Sequence, residues 1–326
     1  MAHKVNSLIM QGLIGIMRIY LKHVAILLAT GLLFQLAALH SGAQDKPKRP
    51  RINGVDRVRL YASSIEKSQA FYTRILGPHF SGGSCSGGTL PCFPVNFQQQ
   101  VELQAARSGA PKNWLAEIGF ATDDVSQLRA YLLAHGVAAS KISNDISAYD
   151  KHPVNAHFEV LDPEGNPISF IERYEAMVND FVPVVRILHA GFVVKDIAAE
   201  NRLYVDVLGF KLYWQGGFKD DGLDWYELQV PDGDNWIEYM LNIPSTADHK
   251  ALGAQNHFSF GVREIQAAAE QLRKNGADKI AGPGIGRDGK RGLNVYDPDD
   301  TRVEITEFTP AREPCCHPYT AAHPTP

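Results

Sequence analysis

The sequence predicts an α+β protein made of four βαβββ modules arranged as two pairs. Three observations carry this: one segment occurs twice, a second segment occurs twice, once after each copy of the first, and each copy leaves room for three strands after its helix. Residues 55–77 (VDRVRLYASSIEKSQAFYTRILG) and 187–209 (ILHAGFVVKDIAAENRLYVDVLG) both open with an apolar, β-branched run. Each breaks at a polar turn and continues into an aromatic-containing helix ending in Leu-Gly, where glycine suits a helix C-terminal cap. Gly77 and Gly209 lie 132 residues apart.

The second pair of segments begins at Leu115 (LAEIGFATDDVSQLRAYLLAHGV) and Asn256 (NHFSFGVREIQAAAEQLRKNGA). In each, a strand precedes a helix whose apolar residues (Leu128, Tyr131 and Leu132; Ala268 and Leu272) follow helical spacing. Both modules finish with an Asp-Pro turn and a last strand, LDPEGNPISFIE and YDPDDTRVEITEF, with Asp162 and Asp297 135 residues apart. In the third module the three remaining strands fall near 211–215, 225–230 and 236–241, joined by the turn sequences FKDDGLD and VPDGDN. The expected domains are 52–173 and 184–310, with a linker at 174–183 and a disordered tail over 311–326.

The first 43 residues differ from the rest. Arg18, Lys22 and His23 precede the apolar run VAILLATGLLFQLAAL, and Ser41-Gly42-Ala43 places small residues before Gln44. This is the layout of a secretory signal peptide, with Met10 or Met17 as alternative starts. An uncleaved membrane anchor is the competing reading. Cleavage implies a secreted or periplasmic protein with no membrane contact afterwards, as a monomer or homodimer. In such a compartment Cys85 and Cys92 (SCSGGTLPC) are able to pair. Cys315, Cys316 and His317 sit in the Pro-rich tail, where metal binding is one reading and incidental occurrence the other. A net charge of -4 without a basic stripe excludes nucleic acid as a partner. The expected partner is a small-molecule substrate.

Successive strand residues face opposite sides, so each strand offers one inward position for a ligand at a given level. His189 opens the first strand of the third module, and His257 holds the matching place in the fourth. Glu238 lies in the last strand of the third module (WIEYML), and Glu304 in that of the fourth (RVEITEF). Two imidazoles and two carboxylates at repeat-equivalent positions suit a divalent first-row metal: Zn, Ni, Mn or Fe. A solitary strand His or Glu is usually structural; the joint recurrence singles out these four. In the first half the same places hold Arg57, Glu102, Glu117 and Ser169. Arginine cannot ligate, so that half reads as an ion-pair cluster with a degenerate site. Arg287, Lys290 and Arg291 form a Gly-rich basic loop that either meets an anionic substrate or is a solvated turn.

These residues resemble the vicinal oxygen chelate superfamily, the glyoxalase, bleomycin-resistance and extradiol-dioxygenase group. The resemblance is clearest in LHAGFVVKDIAAENRLYVDVLGFKL, NHFSFGV and VYDPDDTRVEITEF, and weaker in the N-terminal half. It implies two paired glyoxalase-like domains, each a curved sheet, with metal ligands on the first and last strands of the modules. His189, Glu238, His257 and Glu304 match a full glyoxalase I-like set, in which a last-strand Glu also moves the proton. Glu304 is the first choice for that catalytic role and Glu238 the second, giving a lyase or isomerase acting on vicinal oxygens. An iron(II) extradiol dioxygenase is the alternative, with His189, His257 and Glu304 as its triad. Against it, GPGIGRDGKRGLNVYDP lacks the His of such enzymes, and Asn294 stands about where their Tyr would be. A third reading is a non-catalytic drug-binding protein whose pocket uses Tyr213, Trp225, Tyr226, Trp236, Tyr239 and Phe258. Glutathione chemistry is chiefly cytosolic, so export argues for some other substrate.

Overall fold

A computed structural model describes residues 47–76, 83–84, 90–96, 98–106, 113–146, 151–174 and 186–326. Residues 1–43, read from the sequence as a signal peptide, most of the linker, and Cys85 with its pairing to Cys92 lie outside the described residues. The first half runs β1 (Ile52–Ala62), α1 (Ile65–Leu76), β2 (Gly83–Ser84), β3 (Pro91–Pro94), β4 (Gln100–Ala105), β5 (Leu115–Thr122), α2 (Val125–Ala134), β6 (Ser143–Ile146), β7 (Pro153–Leu161) and β8 (Pro167–Arg173). The second runs β9 (Arg186–Val193), α3 (Ile197–Asn201), β10 (Lys211–Gly216), β11 (Trp225–Gln229), β12 (Trp236–Met240), α4 (His249–Gln255), β13 (His257–Val262), α5 (Ile265–Lys274), β14 (Ala281–Ile285), β15 (Arg291–Tyr296) and β16 (Arg302–Glu307). This is the expected βαβββ order four times over, with α4 as an extra turn of helix before the fourth module. The chain continues from α3 through a π-helical turn at Arg202–Val207.

The two sheets have the same topology, β2-β3-β4-β1-β5-β8-β7-β6 and β10-β11-β12-β9-β13-β16-β15-β14. In each, the first strands of two modules pair antiparallel at the centre, and each last strand lies parallel beside its own first strand. Because side chains alternate, one face of the first sheet offers Val58, Leu60, Ile118, Phe120, Ile168 and Phe170 to the helices, while Arg57, Glu117 and Ser169 point the other way. Helical glycine caps appear where the sequence predicts them, with φ of +78° at Gly136, +82° at Gly209 and +83° at Gly276.

One hydrophobic core runs through both halves. Phe120 meets Phe210 edge-on at 5.5 Å, and Tyr72 donates to Asp297 Oδ2 at 3.0 Å. The junction itself is built from two side-chain amides. Gln99 donates to the carbonyls of Val55 (2.8 Å) and Ile187 (3.1 Å), and its Oε1 accepts from Ile187 N (2.8 Å). Asn235, at the matching place before β12, donates to Ile187 O (2.6 Å), and its Oδ1 accepts from Val55 N (3.3 Å). Each amide stands in for a missing strand partner, so the backbone where β1 and β9 begin stays hydrogen-bonded inside the protein.

The tail departs from its expected disorder. Ala311 N donates to Gly289 O (2.9 Å), Cys315 N to Arg287 O (2.8 Å) and Thr320 N to Tyr213 O (2.9 Å). Tyr319 and Ala321 pack on a second, smaller apolar cluster of Leu188, Tyr213, Trp214, Trp236 and Phe308. Cys315 and Cys316 form a disulfide with each other. The composition of the tail is that of a loop, but its few aromatic and backbone groups find partners on an exposed edge of the second sheet.

Glu200, on α3, is a buried carboxyl at the seam between the halves. Its Oε1 accepts from Glu164 N at 2.9 Å, while Oε2 has no hydrogen-bond partner among the described residues. Burial, with repulsion from Asp162, pushes its pKa up to about 8. The folded protein therefore holds this proton where the unfolded chain has lost it, and stability falls as pH rises from the ordinary carboxyl range to about 8. Glu200→Gln is expected to be neutral at pH 4 and stabilising by about 3–5 kcal/mol at pH 9. Urea unfolding at the two pH values checks this; equal effects at both would refute it.

Candidate metal centre

Strand register brings the four singled-out residues together. His189 on β9 lies opposite Ser259, and Gly191 opposite His257 on β13. Glu238 on β12 pairs with Gly191, and Glu304 on β16 with Ser259. The Nε2 atoms of His189 and His257 are 3.1 Å apart. Glu304 Oε2 is 3.2 Å from His189 Nε2 and 3.6 Å from His257 Nε2. Glu238 Oε2 is 3.2 Å from His257 Nε2 and 3.8 Å from His189 Nε2. The donor atoms of His189, Glu238 and His257 all fall within 4.8 Å of one another.

Local sequence explains the fit. A Cβ added to Gly191 would lie 2.1 Å from the His257 ring, so glycine at 191 makes the space for that imidazole. His257 is fully buried, and its Nδ1 meets Gln255 O at 2.9 Å. A carbonyl only accepts, so Nδ1 carries the hydrogen and the Nε2 lone pair faces the cluster, the arrangement that metal-ligating histidines share. His189 stacks on Trp236, ring centroids 4.8 Å apart.

Electrostatics splits the two imidazoles. Burial lowers the pKa of His189, more than Glu304 and Glu238 raise it. Burial and Arg302 also oppose charge on His257, yet Glu238 and Glu304 push it up overall. Burial works against charge on Glu304 as well, but the two imidazoles and Arg302 hold it well below the usual carboxylate range. Glu238 is held down in the same way by His257 and then His189. The shortest contact of His257 Nε2 is 2.7 Å to Arg302 Nη2, which fits a neutral ring accepting a hydrogen bond.

A cavity of about 300 Å³ opens on this cluster, at the lower end for small-molecule sites. His189, Glu238 and Glu304 reach it, beneath walls of Trp214, Trp225 and Trp236. Of the six aromatics considered for a pocket, only Trp225 and Trp236 line this cavity; Tyr213, Tyr239 and Phe258 are buried in the core. The basic loop is not a plain solvated turn. Arg287 lines the cavity and Arg291 is exposed, whereas Lys290 is 2% exposed, with Nζ 4.2 Å from the Trp236 ring centroid and 3.3 Å from Tyr213 Oη. Tyr319 of the tail closes that aromatic cage, 5.0 Å from Nζ.

Two groups at the site escaped sequence reading. Arg302 stands two residues before Glu304, so strand alternation puts it on the same face, a signal the sequence carried. Glu227 lies across from Glu238 on β11. Burial, with help from Glu238, pushes Glu227 well above the carboxylate range despite Lys290 nearby.

The first half repeats this register with other chemistry. Arg57 pairs with Gly119, Arg59 with Glu117, Arg59 with Glu102, and Gly119 with Ser169. The four positions therefore match His189, His257, Glu238 and Glu304 as the sequence indicates. Arg57 Nε meets Glu117 at 3.0 Å and Nη1 meets Glu102 at 3.4 Å, while Arg59 pairs with both carboxylates. This is the expected ion-pair cluster, with guanidinium groups in the space between the carboxylates. Arg59 joins it from the position where the second half has Gly191.

Comparison with known proteins agrees with this architecture. Residues 186–305 match the Glyoxalase/Bleomycin resistance protein/Dioxygenase superfamily. No curated sequence matches the chain. Among solved structures, homoprotocatechuate 2,3-dioxygenase from Brevibacterium fuscum in complex with 3,4-dihydroxyphenylacetate has a TM-score of 0.60 at 20% identity, covering 85% of this chain and 84% of that one. A variant of that enzyme gives a TM-score of 0.63 at 20% identity, over 85% and 74% of the two chains. An extradiol ring-cleaving dioxygenase from B. fuscum gives 0.59 at 21% identity, over 80% and 73%. With its paired modules and repeated register, the chain shares the fold of these dioxygenases, and its second half, residues 186–305, is similar to the Glyoxalase/Bleomycin resistance protein/Dioxygenase superfamily.

Proposed function

We propose that the second half is a divalent-metal enzyme of the lyase or isomerase type, moving a proton on a small substrate with two adjacent oxygens. The observation that carries this reading is the second carboxylate. Glu238 and Glu304 both converge on the same pair of imidazoles, one more acid than a two-His-one-carboxylate centre uses. His189, His257, Glu238 and Glu304 would hold the metal, which when bound supplies positive charge to the substrate oxygens. His257 is fixed through Gln255 and His189 through Trp236, so both rings are oriented before metal arrives. The side chain of Glu304 is 23% exposed against 11% for Glu238, and it is therefore the carboxylate a substrate reaches first. It would take a proton from carbon and return it to the neighbouring position, while the tryptophan walls exclude water. Export, as read from residues 1–43, points to a substrate other than a glutathione conjugate.

Protein beginning at Gln44 and reconstituted with Ni, Zn, Mn or Fe(II) is expected to hold one metal per chain by elemental analysis; failure with all four ends the reading. Loaded wild type should catalyse exchange of carbon-bound hydrogen for deuterium in a hydroxyketone probe such as dihydroxyacetone. Glu304→Gln is expected to slow that exchange by about 10²–10⁴-fold. A rate unchanged in Glu304→Gln would move the proton-carrying role to Glu238.

Ring-cleaving oxygenation is the second reading, favoured by the fold shared with the B. fuscum dioxygenases. It predicts oxygen uptake by the Fe(II)-loaded protein with 3,4-dihydroxyphenylacetate. Among the described residues lining the cavity there is no histidine besides His189 and no tyrosine, so the acid–base groups on hand are carboxylates.

A further inference from the structure

Arg302 makes a contact that metal binding cannot share. Its Nη2 lies 2.7 Å from His257 Nε2, the atom whose lone pair faces the ligand cluster. A guanidinium at that distance fills the space a metal bonded to Nε2 needs. Its Nε is buried without a hydrogen-bond partner among the described residues, so the position leaves one of its donors unused there. The same side chain lines the cavity together with Asn294, Glu304 and the three tryptophans. The other cavity-lining guanidinium, Arg287, is engaged with Asp220 and with Gly217 O. Arg302, whose side-chain hydrogen bond among the described residues is to His257, is thus the less tightly held of the two cavity cations.

We propose that Arg302 is a movable cation that competes with metal for the face of His257 Nε2 and, turned into the cavity, selects a substrate carrying an anionic group. The inference rests on the metal reading above. Two rows of the molecule support it. In the first half, arginines permanently occupy the equivalent space between carboxylates, so this sheet geometry accommodates a guanidinium there. In the second half, the cavity wall holds tryptophans, carboxylates, Asn294, Thr306 and two guanidinium groups, and with Arg287 engaged by Asp220 it is Arg302, beside the ligands, that is placed to meet an anion.

The test uses the full chain, stripped of metal, as wild type, Arg302→Gln and, as a second removal of the charge, Arg302→Leu. Nickel is titrated calorimetrically at low salt and at 0.5 M NaCl, where through-space repulsion between separated charges is screened over about 4 Å. Either variant is expected to bind nickel at least tenfold tighter than wild type, at both salt concentrations. The nickel-loaded proteins are then titrated with 3,4-dihydroxyphenylacetate and with neutral 4-ethylcatechol. Wild type should prefer the anionic probe by tenfold or more, and the variants should lose that preference. Nickel affinity equal to or below wild type, a gain abolished by salt, or an anion preference absent from wild type or retained in the variants overturns the proposal. Uptake of no nickel by any of the proteins would instead remove the metal reading itself.

Discussion

His257→Ala is expected to lose stoichiometric binding of every divalent metal that the wild type takes up. Three features make this the most severe single change at the site. The imidazole is fully buried, its Nδ1 is committed to Gln255 O, and Gly191 has no side chain so that the ring fits. Alanine removes the ring nitrogen on which His189, Glu238 and Glu304 converge and puts no donor in its place. Affinity should fall by more than about a hundredfold, the upper end of what loss of even an outer partner causes. Calorimetric titration with nickel or zinc reads this directly. Wild-type affinity in the variant would mean that the four side chains converge without acting as a centre.

Arg57→Ala is expected to have the opposite profile, a large loss of stability with metal affinity unchanged. Arg57 is 2% exposed and holds Glu117 at 3.0 Å and Glu102 at 3.4 Å. Those contacts help keep the Glu102 carboxyl below its usual range, although burial opposes this. Removing one partner of a buried ionic cluster leaves uncompensated charge and costs about 3–5 kcal/mol. Arg59 moderates the loss because it pairs with both carboxylates from the partly exposed side. Urea unfolding measures the drop, and a change below about 1 kcal/mol would show that Arg59 alone neutralises the pair.

Much of this site was legible because strand chemistry is periodic. Once Val55 is aligned with Ile187, the places of His189, Glu238, His257 and Glu304 follow from alternation and from one register, and the sheet pairing reproduces that register in both halves. The failures have the same origin. Arg302 shares a face with Glu304 by the same alternation, yet a lone strand arginine reads as a solvated charge. Lys290 reads as part of a solvated turn, because nothing local reveals that Tyr213, Trp236 and Tyr319 surround it. The tail was misread for a related reason. Its Pro-rich composition lacks a periodic apolar face, and what orders it is a set of partners far away in sequence, such as Trp214 Nε1 donating to His317 O at 3.0 Å.

The repeated register has a consequence for how the molecule meets a shortage of metal. On the metal reading proposed above, the charge between the carboxylates of the second half would come in part from a diffusing ion, whereas in the first half it is attached to the chain by peptide bonds. A chelator would then act only on the second half. The first half should therefore keep its shape under metal starvation and act as a rigid template, against which the second half, gripped through Gln99 and Asn235, stays ready to be refilled.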